Sequence, residues 1–232
     1  MKRNFKRIVE DGWVGKLHPF LLNEKFTIIE KFLMDKTTNI TPKITEIFRA
    51  FKECPYAGMK VIIVGSSPYQ GTLSNGERIA DGLAFSSRNS VNKPPQSLEI
   101  IYKAIENNLN ITMDRRNNDL TYLANQGVLL LNCALTTEKH KKDAHLELWQ
   151  PFIEYVLKMI HYTCTGMIYV FVGENAQKFQ HLITGTNDFV ISVEEPEIFH
   201  KDREWDHDKL FFQINAILDM MYNTKLYYNT ND

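Results

Sequence analysis

Cysteine is scarce in this chain, and the three thiols present, Cys54, Cys133 and Cys164, share no CxxC spacing. That argues against a thiolate zinc site and a disulfide framework, and makes a reducing compartment the simpler setting. Neither sign of charge is in excess, because 27 Lys and Arg stand against 28 Asp and Glu for a net charge of -1. Overall basicity therefore gives no argument for nucleic acid, although a local basic patch remains allowed. Long hydrophobic runs are missing as well. Nothing approaches the roughly 18 apolar residues of a membrane span, and the charged start Met1-Lys2-Arg3-Asn4 leads into no signal-peptide core. An intracellular protein without membrane contact is expected. Internal repeats, low-complexity tracts and linkers are also lacking, so residues 1–232 are expected to form a single domain.

What is present suits one globular core: 44% of residues are hydrophobic and 12% aromatic, with 24% charged to keep the surface wet. The run MKVIIVG at 59–65 is short, apolar, β-branched and closed by glycine, as expected of a parallel strand buried on both faces. The signature returns in GVLLLN (127–132) and GMIYVFVG (166–173), and more weakly in DFVISV (188–193). Helical periodicity marks 19–34, then 42–51 with Pro42 near its first turn, and further segments at 97–107, 120–125, 149–161, 176–182 and 208–222. The alternation predicts an α/β fold with a central four-stranded, mainly parallel sheet and helices on both faces. An N-terminal helical extension (about 1–40) and a polar, frayed tail (223–232) complete the expectation.

In such a sheet ligands bind outside the carboxyl ends of the strands. The loops 65–71, 132–137, 173–177 and 194–200 should therefore converge on one site. The first of them, VGSSPYQG at 64–71, is shaped to present chemistry yet holds no carboxylate, histidine or cysteine.

These loops together resemble the family 1 uracil-DNA glycosylases over residues 42–218. VGSSPYQG followed by DGLAFS is similar to that family's Gly-Gln-Asp-Pro-Tyr-His-Gly and Gly-Leu-Ala-Phe-Ser segments. KPPQSLEIIYKAI, with Pro94, Pro95 and Ser97, is similar to its proline-rich loop. QGVLLLNCALTTEKHKKDAHLELW is similar to its uracil-reading strand, FVGENAQ to its Gly-Ser loop, and EEPEIF to its His-Pro-Ser-Pro-Leu loop. The resemblance implies a protein that extrudes a base from DNA into a pocket. It implies that Asn132 reads the base edge, since an amide donates and accepts at once. It also places Phe85 as the stacking ring, Tyr69 against C5 of the base, and Pro68 beside it. A Phe after Gly-Leu-Ala or an Asn closing a strand, taken alone, would more often be core or turn.

The departures fall on the chemistry. Cleaving an N-glycosidic bond passes through an oxocarbenium-like sugar and needs a negative charge or an activated water near C1′, plus a donor for the leaving base. The family's Asp is here Ser67, which carries no charge and needs a neighbouring base to activate water. The family's His is here Glu195, whose carboxylate repels the developing anion unless Glu194 and Glu197 raise its pKa. Gln70 replaces a second His. Of the serines that grip phosphate, Ser97 remains, whereas Glu174 and Glu197 reverse the sign of a contact that normally dominates affinity. Phe199 occupies the place of the intercalating leucine. The segment 72–81 is longer than the resemblance leads one to expect, and Asp81 at its end is the candidate for a relocated carboxylate.

Three readings follow from these residues. The first is a glycosylase-fold protein with a degenerate site that excises uracil poorly and works by binding nucleic acid or a protein partner. The second is an active glycosylase for uracil or a damaged base that uses Asp81 or Glu195. The third is a polymerase accessory factor or a decoy for DNA-mimicking glycosylase inhibitors. Lys139, Lys141 and Lys142, set among His140 and His145, form a local basic stretch that fits either DNA or solvent. His200 and His207 have no metal-like spacing, so no metal and no cofactor are expected, and a monomer is.

Overall fold

The computed structural model describes residues 9–35, 39–198, 205 and 209–229. The apolar runs form strands β2 (Val61–Gly65), β3 (Val128–Asn132), β5 (Ile168–Val172) and β6 (Phe189–Val193), preceded by a short β1 (Ile40–Thr41) and interrupted by a short β4 (Thr137–Glu138). The four longer strands make one sheet in the order β3-β2-β5-β6, parallel at every pairing. All five residues of β3 and of β5 are buried, as a strand covered on both faces requires. β6 lies at the edge and is only partly covered, which is why its sequence signal is the weakest.

The helices are α1 (Asp11–Leu21), α2 (Glu24–Asp35), α3 (Arg49–Glu53), α4 (Gln96–Leu109), α5 (Thr121–Asn125), α6 (Leu146–Thr163), α7 (Glu174–Gln177) and α8 (Leu210–Tyr222). In α6, Trp149, Phe152, Ile153, Val156, Leu157 and Ile160 recur at three- and four-residue spacing and are all buried, so one stripe of the helix meets the core. The N-terminal helices belong to the same core. The Phe20 ring meets Phe152 at 5.3 Å between centroids, and the Trp13 indole packs on Phe51 at 5.0 Å while donating to the Cys54 carbonyl at 2.8 Å. Two contacts of this kind tie α1 to α6 and to the segment that leads into β2.

Four elements differ from the sequence expectation; one is the helix expected over 176–182, which is the short α7 followed by a 3₁₀ turn (Gln180–Leu182). The helix expected over 19–34 is two helices, because Asn23 starts a new one: its Oδ1 accepts from the Lys25 N–H and its carbonyl from the Phe26 and Thr27 N–H groups. Leu22, which a continuous helix would bury, is 68% exposed at the break. The helix expected over 42–51 is a 3₁₀ turn (Ile44–Glu46) followed by the short α3, because Ile40 and Thr41 pair with Glu138 and Thr137 in an antiparallel ribbon and the chain must turn after it. The tail expected to fray from 223 is docked as far as 229. Leu226 and Tyr228 are buried there, and Asn215 and Gln126 bond its backbone.

A buried ion pair joins the helical layer to the loops above the sheet. Asp81 is fully buried and meets Arg49 Nη1 at 3.0 Å; the same guanidinium bonds Asp119 at 2.9 Å and Thr121 Oγ1 at 2.6 Å. Burial drives the Asp81 carboxyl above its ordinary range, and Arg49 with three hydrogen-bond donors offsets part of that rise. Removing one partner strands a buried charge, so Arg49→Met is expected to lower stability by about 3–5 kcal/mol, read as a fall in the urea midpoint at unchanged slope. Cutting the exposed Lys225–Asp219 pair should leave the midpoint in place.

Candidate active site at the strand ends

The parallel register of β2 and β3 sets Gly65 beside Asn132 at the carboxyl end of the sheet. A Cβ on Gly65 would stand 2.9 Å from Asn132 Oδ1 and 3.0 Å from Phe85 Cζ, so the missing side chain is what lets the ring and the amide approach. A pocket opens there. The loop after β2 contributes Ser66, Ser67, Pro68, Tyr69 and Gln70, and the long segment before β3 contributes Leu83, Phe85 and Ser97. Asn132 and Lys142 come from β3 and the loop that follows it, and Glu195 and Glu197 from the loop after β6. Most of the residues proposed from sequence are thus brought together.

Phe85 is held in a left-handed conformation, φ 64°, which costs a non-glycine residue energy and persists only where the surroundings enforce it. The enforcement is the Asp81 node. The carboxylate accepts from the backbone N–H groups of Leu83 (3.2 Å) and Arg88 (2.9 Å) and from Ser86 Oγ (2.7 Å). Gly82, at φ 98°, brings its α-carbon so close to the Glu46 carbonyl that a Cβ would fall 2.1 Å from the oxygen. The Ala84 N–H then bonds the Leu130 carbonyl, which seats the turn on β3.

Tyr69 is locked by its hydroxyl, which donates to the Phe85 carbonyl at 3.0 Å and shares a 2.9 Å bond with Ser97 Oγ. Burial pushes its phenol well above the ordinary range, so it is neutral. Ser97, nearly closed to solvent, is therefore committed to Tyr69 within the pocket wall. Asn132 is only 7% exposed, and its side chain makes no hydrogen bond among the described residues. Gln70 Oε1 is buried without a partner as well. Both residues line the pocket, so its wall holds polar side-chain atoms without a protein partner.

Asp81 does not line this pocket. The sequence-based expectation of a relocated carboxylate there fails because its charge is consumed by Arg49 and by the turn it organises. The 72–81 segment folds back on itself through a Thr72–Arg78 bridge. Glu77 pairs with Lys43 at 3.1 Å, and Arg78 Nε bonds the Ile40 carbonyl at 2.8 Å, which directs both away from the pocket. Glu174 is exposed and Pro94 and Pro95 are half-buried before α4; none of the three lines the pocket. Phe199, His200 and His207 lie outside the described residues.

The charge near Ser67 comes from a residue that no sequence pattern flagged. Asp143, at φ 59°, accepts from Ser67 Oγ at 2.5 Å and from Ser66 Oγ at 2.8 Å through Oδ1, and from Asn175 Nδ2 at 3.1 Å through Oδ2. Its neighbour Lys142 reaches Glu195 at 2.7 Å and Glu197 at 3.5 Å. Burial pulls the Lys142 ammonium down, but Glu195, Glu197 and Asp143 outweigh that and hold it above the ordinary lysine range, so it is charged. Glu195 thus meets a cation, where the sequence suggested coupling to Glu194 and Glu197 alone. His145 is buried against Thr136 Oγ1 at 3.0 Å and takes no part in the pocket.

A parallel sheet whose strand β2 leads into a tight polar loop places a pocket at the strand ends, with the left-handed Phe85 and the side chain of Asn132 in its lining. The profile of the Uracil DNA glycosylase superfamily matches residues 51–219. The uracil-DNA glycosylase of Streptococcus uberis is 34% identical over 89% of this chain and 92% of its own length. That of Halalkalibacterium halodurans is 30% identical over 95% and 97%. The crystal structure of mimivirus uracil-DNA glycosylase superposes with a TM-score of 0.83 at 19% identity, covering 97% of this chain and 89% of that one. The chain belongs to the uracil-DNA glycosylase superfamily. Among the described residues, no helix is long and apolar enough to cross a membrane.

The space argument at Gly65 gives a direct test. Gly65→Ala should push Phe85 or Asn132 out of line and weaken pocket occupancy by about tenfold or more (1.4 kcal/mol). Titration of free uracil followed by the chemical shifts of Asn132 measures it.

Proposed function

We propose that this protein binds DNA, takes an extruded uracil into the pocket between Phe85, Tyr69 and Asn132, and excises it far more slowly than a member of the family with the Asp and His in place. The observation that carries the reading is the nearly buried, unpartnered Asn132 amide set against Phe85 across Gly65. An amide presents one donor and one acceptor on neighbouring atoms, which matches the N3–H and O4 edge of uracil. Such a group left unpaired disfavours bases with a different edge. Tyr69, immobilised by Phe85 and Ser97, crowds the position that a 5-methyl group would occupy.

Slow excision follows from charge. Among the described residues, three carboxylates, Glu195, Glu197 and Asp143, stand against the one ammonium of Lys142 at and behind the pocket, which disfavours an anionic leaving base and the approach of phosphates. A protein partner is a second reading, favoured by one observation. Mimivirus variants with TM-scores of 0.85 and 0.83 to this chain were solved in complex with UGI.

Fluorescence anisotropy with a labelled single strand carrying one 2′-fluoro-2′-deoxyuridine, against the same strand with thymine, tests the reading. About tenfold tighter binding to the uracil strand is expected, lost in Asn132→Ala; equal binding to both strands would refute it. Ser67→Asp with Glu195→His should raise uracil release by about a hundredfold or more in an alkaline-cleavage assay.

A further inference from the structure

We propose that two adjacent residues of the loop after β3, Lys142 and Asp143, replace the two charges missing from the family positions, so that the pocket hydrolyses the N-glycosidic bond at a slow but real rate. The inference rests on the uracil-binding reading above and goes beyond it by assigning the chemistry.

The geometry at Ser67 carries the first half. Its hydroxyl donates to Asp143 Oδ1 at 2.5 Å and accepts from the Asp143 N–H at 3.3 Å. A hydroxyl has one donor and two acceptor sites, so one lone pair remains, and Ser67 lines the pocket. A water held there is aligned by Ser67, which is in turn aligned by a carboxylate. That is the orientation logic of an activated nucleophile with one more link. Asp143 is fixed in place by Ser66 and Asn175, which use its other acceptor sites.

The second half is Lys142, whose ammonium lines the same pocket wall as Glu195. An ammonium has three donors. Glu195 and Glu197 engage it at 2.7 and 3.5 Å, and a third proton is free for a base anion. Its charge offsets the carboxylate that stands where the family has its donor.

The step balances. Water oxygen bonds to C1′ as the C1′–N1 bond breaks, and that electron pair leaves with the base as the uracil anion, stabilised by Lys142. The water gives a proton to Ser67 Oγ while Ser67 passes its own to Asp143 Oδ1. The proton is then lost to solvent, and the base is reprotonated. Ser67 touches the water, whereas Asp143 is a positioning residue that acts through it.

Single-turnover release of uracil, with protein in excess over a uracil-bearing strand, is the rate to measure. Affinity for the 2′-fluoro strand is measured in parallel. Wild type should release uracil slowly. Asp143→Asn, whose amide suits the left-handed backbone, and Lys142→Met should each lower the rate by about tenfold or more, while Asp143→Asn, which removes a negative charge, does not weaken the affinity. Returning the carboxylate to the loop, in the double variant Ser67→Asp, Asp143→Asn, should restore or exceed the wild-type rate. No release by wild type that still prefers the uracil strand would overturn the rebuilt chemistry and leave the binding function standing. So would an unchanged rate in Asp143→Asn, or no recovery in the double variant with binding intact. Loss of the uracil preference itself would overturn both.

Discussion

The Arg49 guanidinium is the point on which the site depends. It comes from a five-residue helix beneath the sheet's loops and pairs with Asp81, a carboxylate with no exposure at all. A charge so placed is tolerable only if every oxygen is bonded, and here the bonds go to the guanidinium, to two backbone N–H groups and to a serine. Those donors belong to the turn that carries Phe85. The ion pair therefore does more than join two elements, because it holds a phenylalanine in a conformation that the residue would otherwise leave. The aromatic wall of the pocket is built on a salt bridge that never meets the ligand.

Around that wall the pocket combines two features that pull apart. Its wall is pre-set: Tyr69 is neutral and locked, Asn132 makes no side-chain hydrogen bond among the described residues, and Gly65 leaves the room they need. Its charges are rearranged. Carboxylates stand at Glu195 and Glu197, and among the described residues the cation that meets them, Lys142, arrives from a different loop together with Asp143. Binding a neutral base tolerates such a potential better than expelling an anionic one does, since only the second develops charge. Affinity and turnover are thus separable here on electrostatic grounds.

Three of the four strands, β2, β3 and β5, were plainly legible in the sequence, because a strand covered on both faces is a continuous apolar run, whereas the partly covered edge strand β6 gave a weaker signal. Knowing that ligands sit at strand ends was then enough to bring Ser67, Tyr69, Asn132, Glu195 and Glu197 to one pocket, and the family resemblance added Phe85. Helix boundaries were less legible. The periodicity of 19–34 runs through Asn23 unchanged, and only the cap bonds reveal the break.

Local pattern thus determined the sheet and the order of the loops that line the pocket, because burial and backbone geometry act on neighbours in sequence. Which carboxylate stands beside Ser67 was decided by tertiary structure alone. Asp81, adjacent to the Phe85 motif, is buried with Arg49, 32 residues away, whereas Asp143 meets Ser67 across 76 residues. Coulomb attraction and hydrogen bonding depend on distance in space, and the folded chain alone sets that distance.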